Sequence, residues 1–344
     1  MPLIQSPKKC QVGQLLPKGV GKISEVLVKV IDLKKYFGPV RAVDGISYQL
    51  NYGETLTIVG ESGSGKTVSA LSLLGLIRKN GRVVDGEAIF EGRDLLKLNR
   101  EELRQIRGKD ISMVFQDPMT SLNPIMKVGI QIMEPLVWHK LMQGKEAREK
   151  AIELLRVVGI PDYQVRAWDY PFEFSGGMRQ RVMIAMALAC NPKLIIADEP
   201  TTALDVTVRA QILNLMQDMK EEFGLSIILI THDVALAMNF SDSIMVMYAG
   251  KVAEYAPVTE FIKNPLHPYS QGLIDSTIDV EAEEGSIKPI PGAPPNPLDL
   301  PSGCKFHPRC GYAQDICREV EPECQEVGDN HRVACHLAER GETK

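Results

Sequence analysis

The stretch Thr55-Leu56-Thr57-Ile58-Val59-Gly60-Glu61-Ser62-Gly63-Ser64-Gly65-Lys66-Thr67-Val68-Ser69-Ala70-Leu71-Ser72-Leu73-Leu74 decides the fold. An apolar strand-like run (TLTIV) meets a glycine loop, and a helix-patterned run (VSALSLL) follows. The loop fits G-x-x-x-x-G-K-[ST] in the strand–loop–helix setting that phosphate binding requires. Gly60, Gly63 and Gly65 let backbone N–H groups turn inward around phosphates, with Ser62, Ser64 and Val68 completing the loop. The helix N-terminus adds its positive dipole end. Lys66 reaches the β and γ phosphates, and Thr67 is a ligand for Mg²⁺. A glycine-rich turn with an incidental lysine is the plain alternative. The full match in its full context argues against it.

A second apolar run, Leu194-Ile195-Ile196-Ala197, ends in Asp198-Glu199. A buried strand ending in an acid puts that carboxylate beside the metal, which makes Asp198 the Mg²⁺ candidate. Glu199 points differently and is placed to take a proton from the attacking water. Alone this pattern is weak; paired with the phosphate loop it is strong.

Further out, VLVKVIDL from Val26, ISYQL and Ser226–Ile230 read as strands, and Val206–Phe223 as a helix. Residues 120–175 read mainly as helices. Strands alternating with helices predict an α/β fold with a largely parallel sheet covered on both faces. Residues 1–24 lack hydrophobic periodicity and read as a loose extension. Residues 25–263 read as one domain, with a helical subdomain at about 118–180. Composition shifts after residue 263: eight prolines between Pro265 and Pro301 read as an extended linker, and a small cysteine-rich region follows to residue 344.

At 344 residues the chain has room for about two domains. Lys+Arg 39 against Asp+Glu 44 gives a net charge of −5, which argues against nucleic acid as the main partner. No apolar run approaches the ~18–20 residues needed to span a bilayer. The N-terminus lacks the apolar core of a secretory signal, so a cytosolic location is expected. Five of the seven cysteines, Cys304, Cys310, Cys317, Cys324 and Cys335, fall in the last 41 residues. In a reducing compartment such a group reads as a metal site before a disulfide set. The spacings are not the C-x2-C pairs of zinc ribbons. Four thiolates hold an iron–sulfur cluster or a zinc ion. Unliganded thiols or oxidisable pairs are the plain reading, and His307, His331 and His336 stand near enough in sequence to replace a cysteine in a zinc site.

With the phosphate loop, four further stretches make five ordered motifs that resemble those of ATP-binding-cassette (ABC) ATPases. Phe174-Ser175-Gly176-Gly177-Met178-Arg179-Gln180 resembles the signature motif, Val114-Phe115-Gln116-Asp117-Pro118 the Q-loop, Ala203-Leu204-Asp205 the D-loop, and Thr231-His232-Asp233 the switch histidine. Phe174 and Met178 depart from the common Leu and Gln of the signature, but its Ser-Gly-Gly centre is intact. FQDPMTSLNP, NPLHPYS and the tail GCKFHPRC…HRVAC narrow the resemblance to ATPase subunits of dipeptide and oligopeptide importers, whose relatives also move nickel or glutathione.

The resemblance implies two cassettes stacked head to tail, paired with itself or with a homologous second ATPase, beneath two membrane-spanning permeases at the cytoplasmic face. An extracytoplasmic binding protein selects the cargo. ATP would lie between the phosphate loop of one cassette and Ser175, Gly176, Gly177 and the Asp205 loop of the other. Gln116 would complete the Mg²⁺ shell, and His232 would bind the γ-phosphate and orient water. Lys66, Glu199 and His232 would be the catalytic set. Phe37 would stack on adenine, with Tyr36 as its rival. Relatives carry cysteines matching Cys304, Cys310, Cys317 and Cys335, which implies a 4Fe-4S cluster, with Cys324 an alternative ligand. A nickel or other solute importer is the nearest alternative. A soluble cassette ATPase of repair or translation is disfavoured, because no coiled-coil insert fits between Thr67 and Ser175 and only one cassette is present.

Overall fold

The computed structural model describes residues 25–76, 80–202, 204–276 and 289–338. The expected N-terminal extension, 1–24, lies outside the described residues. The chain opens with two long antiparallel strands, β1 (Val26–Phe37) and β2 (Val40–Asn51). β3 (Thr55–Val59) follows, buried at every position, and leads through the phosphate loop into α1 (Lys66–Leu73). β4 (Gly81–Phe90) and β5 (Arg93–Asp94) return to β1, giving an antiparallel sheet of order β2-β1-β4-β5.

α2 (Arg100–Ile106) starts in a reciprocal cap: Asn99 accepts from the Glu102 amide and Glu102 accepts from the Asn99 amide. Then come β6 (Ile111–Val114) and the helical layer, α3 (Pro118–Ser121), α4 (Val128–Trp138), α5 (Gly144–Val157), α6 (Tyr163–Arg166) and α7 (Gly176–Leu188). Val128, Ile132, Leu136, Ala147, Ala151, Leu154, Leu155, Val182 and Ala185 bury the facing stripes of α4, α5 and α7 in one core. β7 (Leu194–Asp198), α8 (Val206–Phe223), β8 (Ser226–Thr231), α9 (Val234–Phe240), β9 (Ser243–Tyr248) and β10 (Lys251–Pro257) complete the central layer.

The second sheet has the order β11-β12-β10-β9-β3-β8-β7-β6. Strands β6, β7, β8, β3 and β9 pair in parallel, whereas β9, β10, β12 and β11 pair antiparallel, so the sheet is mixed. The fully buried runs TLTIV, LIIAD and SIILIT are what a strand covered on both faces requires. Among the described residues no helix is long and apolar enough to cross a membrane.

Within the stretch expected as an extended linker, residues 268–275 are helical. α10 (Val258–Lys263) is followed by α11 (Pro268–Asp275), which buries Tyr269, Leu273 and Ile274 in the same cluster as Val59, Val246 and Phe261. Pro268 occupies the first helical turn, where its missing N–H costs no hydrogen bond. After α12 (Asp315–Glu319), β11 (Gln325–Gly328) and β12 (His331–Val333) form a hairpin that extends the sheet beyond β10. The C-terminal segment is thus built onto the central sheet.

Glu254 of β10 secures this junction. Its fully buried carboxylate accepts from the amides of Leu266 and His267, each at 2.9 Å, and from His331 Nε2 at 2.8 Å. Burial works to raise its pKa, but these donors outweigh it and hold the carboxyl below its usual range. His267 caps α11 by accepting from the Tyr269 amide at 3.0 Å, and burial lowers it to about 4 from an ordinary 6.5. Both groups are depressed in the fold, so their stabilisation is present above the unfolded pKa and is lost as pH falls. The denaturant midpoint should therefore drop as pH goes from 6.5 towards about 4. His267→Asn, which keeps an acceptor for the cap, should flatten that slope. Equal slopes in the two proteins would show that His267 carries none of it.

Candidate phosphate and nucleotide site

The phosphate loop is held where only glycine fits. Gly60 has φ +150°, and a Cβ there would lie 2.2 Å from the Met247 carbonyl oxygen. Gly65 has φ +101°, and its Cβ would lie 2.3 Å from the Ala42 carbonyl oxygen. α1 begins immediately after, with no side-chain cap and no acid in its first turn, so its leading amides face the loop without a side-chain partner. The Ser64 hydroxyl is buried without a hydrogen-bond partner. Lys66 is 5% exposed, and its ammonium donates to the Gly60 carbonyl at 2.6 Å and the Glu61 carbonyl at 3.0 Å. Burial lowers the pKa of Lys66, while the nearby carboxylates of Glu199 and Asp198 oppose that shift.

Two carboxylates converge on this loop from β7. Thr67 Oγ1 donates to Asp198 Oδ1 at 2.9 Å, bringing two hard oxygen donors together. That pair fits Mg²⁺, which favours oxygen ligands. Burial raises the pKa of Asp198, and Glu199 adds to the rise against Thr67 and Lys66. Glu199 sits at φ +46° with its amide donating to the Ile230 carbonyl at 2.9 Å. Its carboxylate accepts from Gln116 Nε2 and Thr202 Oγ1, each at 3.0 Å, and lies 3.4 Å from His232 Nδ1. Lys66, Thr67, Asp198, Glu199, Gln116 and His232 are thus drawn to one end of the parallel strands. Thr202 is a partner that sequence reasoning missed; its only signal was its place three residues beyond Glu199.

A cavity of about 750 Å³ beside α1 is lined by Lys35, Phe37, Gly38, Thr67, Val68 and Leu71, among others. Tyr36, the rival aromatic, points elsewhere and donates to Asp44 Oδ1 at 2.5 Å. Lys35 was not foreseen. It is fully buried, its ammonium has no hydrogen-bond partner, and it lies 5.2 Å from the Phe37 ring centre. Burial lowers its pKa to about 8.

The signature residues stand apart from this group. Ser175 caps α7 by accepting from the Met178 amide at 3.4 Å, and Ser175 and Gly176 are exposed. Among the described residues no hydrogen bond joins Ser175, Gly176 or Gly177 to the phosphate loop. Asp205 caps α8 through the Val208 amide at 2.9 Å. Ala203, part of the expected D-loop, lies outside the described residues.

Cys304, Cys310, Cys317 and Cys335 line one small cavity under α11. Burial raises their thiol pKa values in three cases, to about 11 for Cys304, and the four sulfurs influence one another. Cys324 is exposed and is absent from the lining of that cavity. None of these five forms a disulfide in the described structure. Among the described residues no group of three or more His, Cys, Asp or Glu is placed to hold a metal ion. The four cysteines thus share a cavity wall without being gathered around one ion position among the described residues. The histidines weighed for zinc are engaged: His331 with Glu254, His307 Nδ1 at 2.9 Å from the Cys304 carbonyl, and His336 Nε2 at 3.0 Å from the Val320 carbonyl.

Comparison with known proteins decides the family. The ABC transporter family model matches residues 43–202, and that of the oligopeptide/dipeptide transporter C-terminal region matches 253–317. The oligopeptide transport ATP-binding protein OppD of Escherichia coli is 51% identical over 303 residues, covering 87% of this chain and 90% of that protein. The chain belongs to the ABC transporter family. AppD of Bacillus subtilis, also an oligopeptide transport ATP-binding protein, is 46% identical across 91% of this chain and 97% of its own. The dipeptide transport ATP-binding protein DppD of Haemophilus influenzae is 48% identical across 92% and 97%. Among solved structures, the dimeric ATP-binding cassette MJ0796 in a post-hydrolysis state with ADP and Pi matches with a TM-score of 0.60 at 31% identity, covering 67% of this chain and 98% of that one. This ABC ATPase has an α/β cassette fold, as its sequence predicts.

Gly65→Ala should weaken MgATP binding by about tenfold or more, since a strained backbone position costs ~1–3 kcal/mol. Fluorescent-nucleotide titration measures it, and wild-type affinity would show that the loop tolerates a Cβ there.

Proposed function

We propose that this chain is the ATP-hydrolysing subunit energising dipeptide or oligopeptide uptake across the cytoplasmic membrane, bound peripherally to its inner face. The observation that carries the chemistry is the meeting of Gln116, Thr202 and His232 on the Glu199 carboxylate beside Thr67 and Asp198. The peptide assignment is supported by relatives named for oligopeptide and dipeptide transport, matched along nearly their whole length.

In this reading adenine stacks on Phe37, and the phosphates settle on the amides of Gly60, Ser62, Gly63, Ser64, Gly65 and Val68. Lys66 leaves its loop carbonyls for the β and γ phosphates. Thr67, Asp198 and Gln116 would hold Mg²⁺, whose charge would offset that developing on the phosphate oxygens. Glu199 exchanges its bond with Gln116 for the attacking water and accepts its proton. His232 orients that water and the γ-phosphate.

A second cassette, identical or homologous, supplies Ser175, Gly176, Gly177 and the Asp205 loop across the interface. The groove beside Gln116, lined by Phe115, Trp138, Met183 and Met186, is the surface we assign to two permease subunits. An extracytoplasmic binding protein acts through them, and no nucleic acid takes part.

Cys304, Cys310, Cys317 and Cys335 are proposed to hold a 4Fe-4S cluster, which would cross-link the C-terminal segment. Support comes from four thiols on one cavity wall, an all-cysteine donor set suited to such a cluster. Cys324 stands off that wall, and the engaged histidines weigh against zinc. Anaerobically purified protein should contain iron and acid-labile sulfide in equal amounts. A single zinc, or no metal, would refute the cluster.

Glu199→Gln should retain MgATP binding and lose turnover by about 10²–10⁴-fold. Near-normal turnover would remove Glu199 from the role of base. Uptake of labelled di- and oligopeptides by cells carrying Lys66→Ala should cease; loss of nickel uptake alone would reassign the cargo.

A further inference from the structure

Glu61, the first variable residue of the phosphate loop, is gripped by the C-terminal segment. Arg309 donates to its carboxylate through both terminal nitrogens, Nη1 to Oε2 at 2.7 Å and Nη2 to Oε1 at 2.9 Å. The partners are 248 positions apart in sequence. The Nε N–H donates to the Pro291 carbonyl at 2.8 Å, and Nη1 also lies 3.3 Å from the Tyr248 hydroxyl. The fork is therefore committed at every nitrogen, with the Arg309 side chain 6% exposed and Glu61 27% exposed. A two-pronged pair of this kind fixes direction as well as distance.

The backbone of the same loop residue is held too. The Glu61 amide donates to the Tyr269 hydroxyl at 2.9 Å, and its carbonyl accepts from Lys66. Tyr269, Tyr248 and Phe306 pack ring against ring with centroids 4.7–5.2 Å apart. Glu61 thus has its amide on α11 and its side chain on the segment that carries Cys304 and Cys310.

A carboxylate inside a loop that must receive a triphosphate is a like charge in the wrong place. Arg309 neutralises it with a two-pronged ion pair. We propose that Arg309 is a positioning residue for ATP: it cancels the Glu61 charge and, with Tyr269, holds the phosphate loop in its receptive shape. This rests on the ATP-binding reading above and deepens it, because it makes the C-terminal segment part of the nucleotide site in the same chain.

Charge cancellation has a signature that a merely structural contact lacks. Arg309→Gln leaves an unneutralised anion beside the phosphates and should raise the Kd for MgATP and KM by about tenfold, with kcat changed less than about threefold. Removing the anion as well, in Glu61→Gln/Arg309→Gln, should return Kd to within about threefold of wild type. Glu61→Gln alone should bind MgATP at least as tightly as wild type. Thermal midpoints of all three report folding separately, and Glu61→Gln with the double variant carries the test if Arg309→Gln fails to fold. Wild-type affinity in Arg309→Gln, or a double variant as weak as the single, would overturn the proposal. MgATP binding by the unmutated protein in the same series reports independently on the ATP-binding reading.

Discussion

The parallel register of β6, β7, β8, β3 and β9 is the constraint on which the site depends. Val59 pairs with Thr231 and with Val246, Asp198 with Ile230, and Val114 with Ala197. The strands therefore end at nearly one level. The residues that follow, Gly60, Glu199, His232 and Gln116, emerge together at the carboxyl edge, where open α/β sheets place ligands. A slip of one residue in β7 would turn Asp198 to the other face and separate it from Thr67. β3, β7 and β8 bury every residue, so both faces of these strands are packed.

Around that edge the site is charged before any substrate arrives. Lys66 rests on two loop carbonyls, which meets its hydrogen-bonding need without committing it to a carboxylate. Glu199 shares its oxygens among Gln116, Thr202 and His232. In the proposed reading, each of these contacts is one that an incoming phosphate, metal or water would replace with its own. The free site is thereby held in shape by weak internal bonds, and the desolvation of Lys66 and Asp198 is already present in the fold.

What was legible in the sequence was local. The phosphate loop, the Asp198 strand and the helix Val206–Phe223 each announce themselves within some twenty consecutive residues, because glycine geometry, apolar runs and caps act over short range. The contacts that escaped are long-range. Arg309 meets Glu61 across 248 positions, and no pattern within either segment requires the other. The sequence puts Phe37 ahead of Tyr36 only by its spacing to Lys66, because successive strand residues face opposite sides and the side that holds the cavity is set by long-range packing. The prolines after residue 263 read as a linker because proline stops helices. Yet at the first turn it starts one, and only the burial of Tyr269, Leu273 and Ile274 shows that α11 is a packed helix.

In the proposed reading, the same geometry explains why one chain would hold only part of the machinery. The phosphate loop and the Ser175 turn sit at the N-termini of two different helices, α1 and α7, and each offers amides to an anion. In one chain the first faces the carboxylates of β7, whereas the second is exposed at the end of a helix packed against α4, α5 and α8. The helical layer that fixes α7 is a single packed core, so moving Ser175 to the phosphate loop within the chain would mean dismantling that core. A second cassette facing the first brings the two together at no such cost. In the proposed reading, closure over ATP is therefore an intermolecular event, and the rigid core beneath α7 is what carries its displacement to the groove beside Gln116.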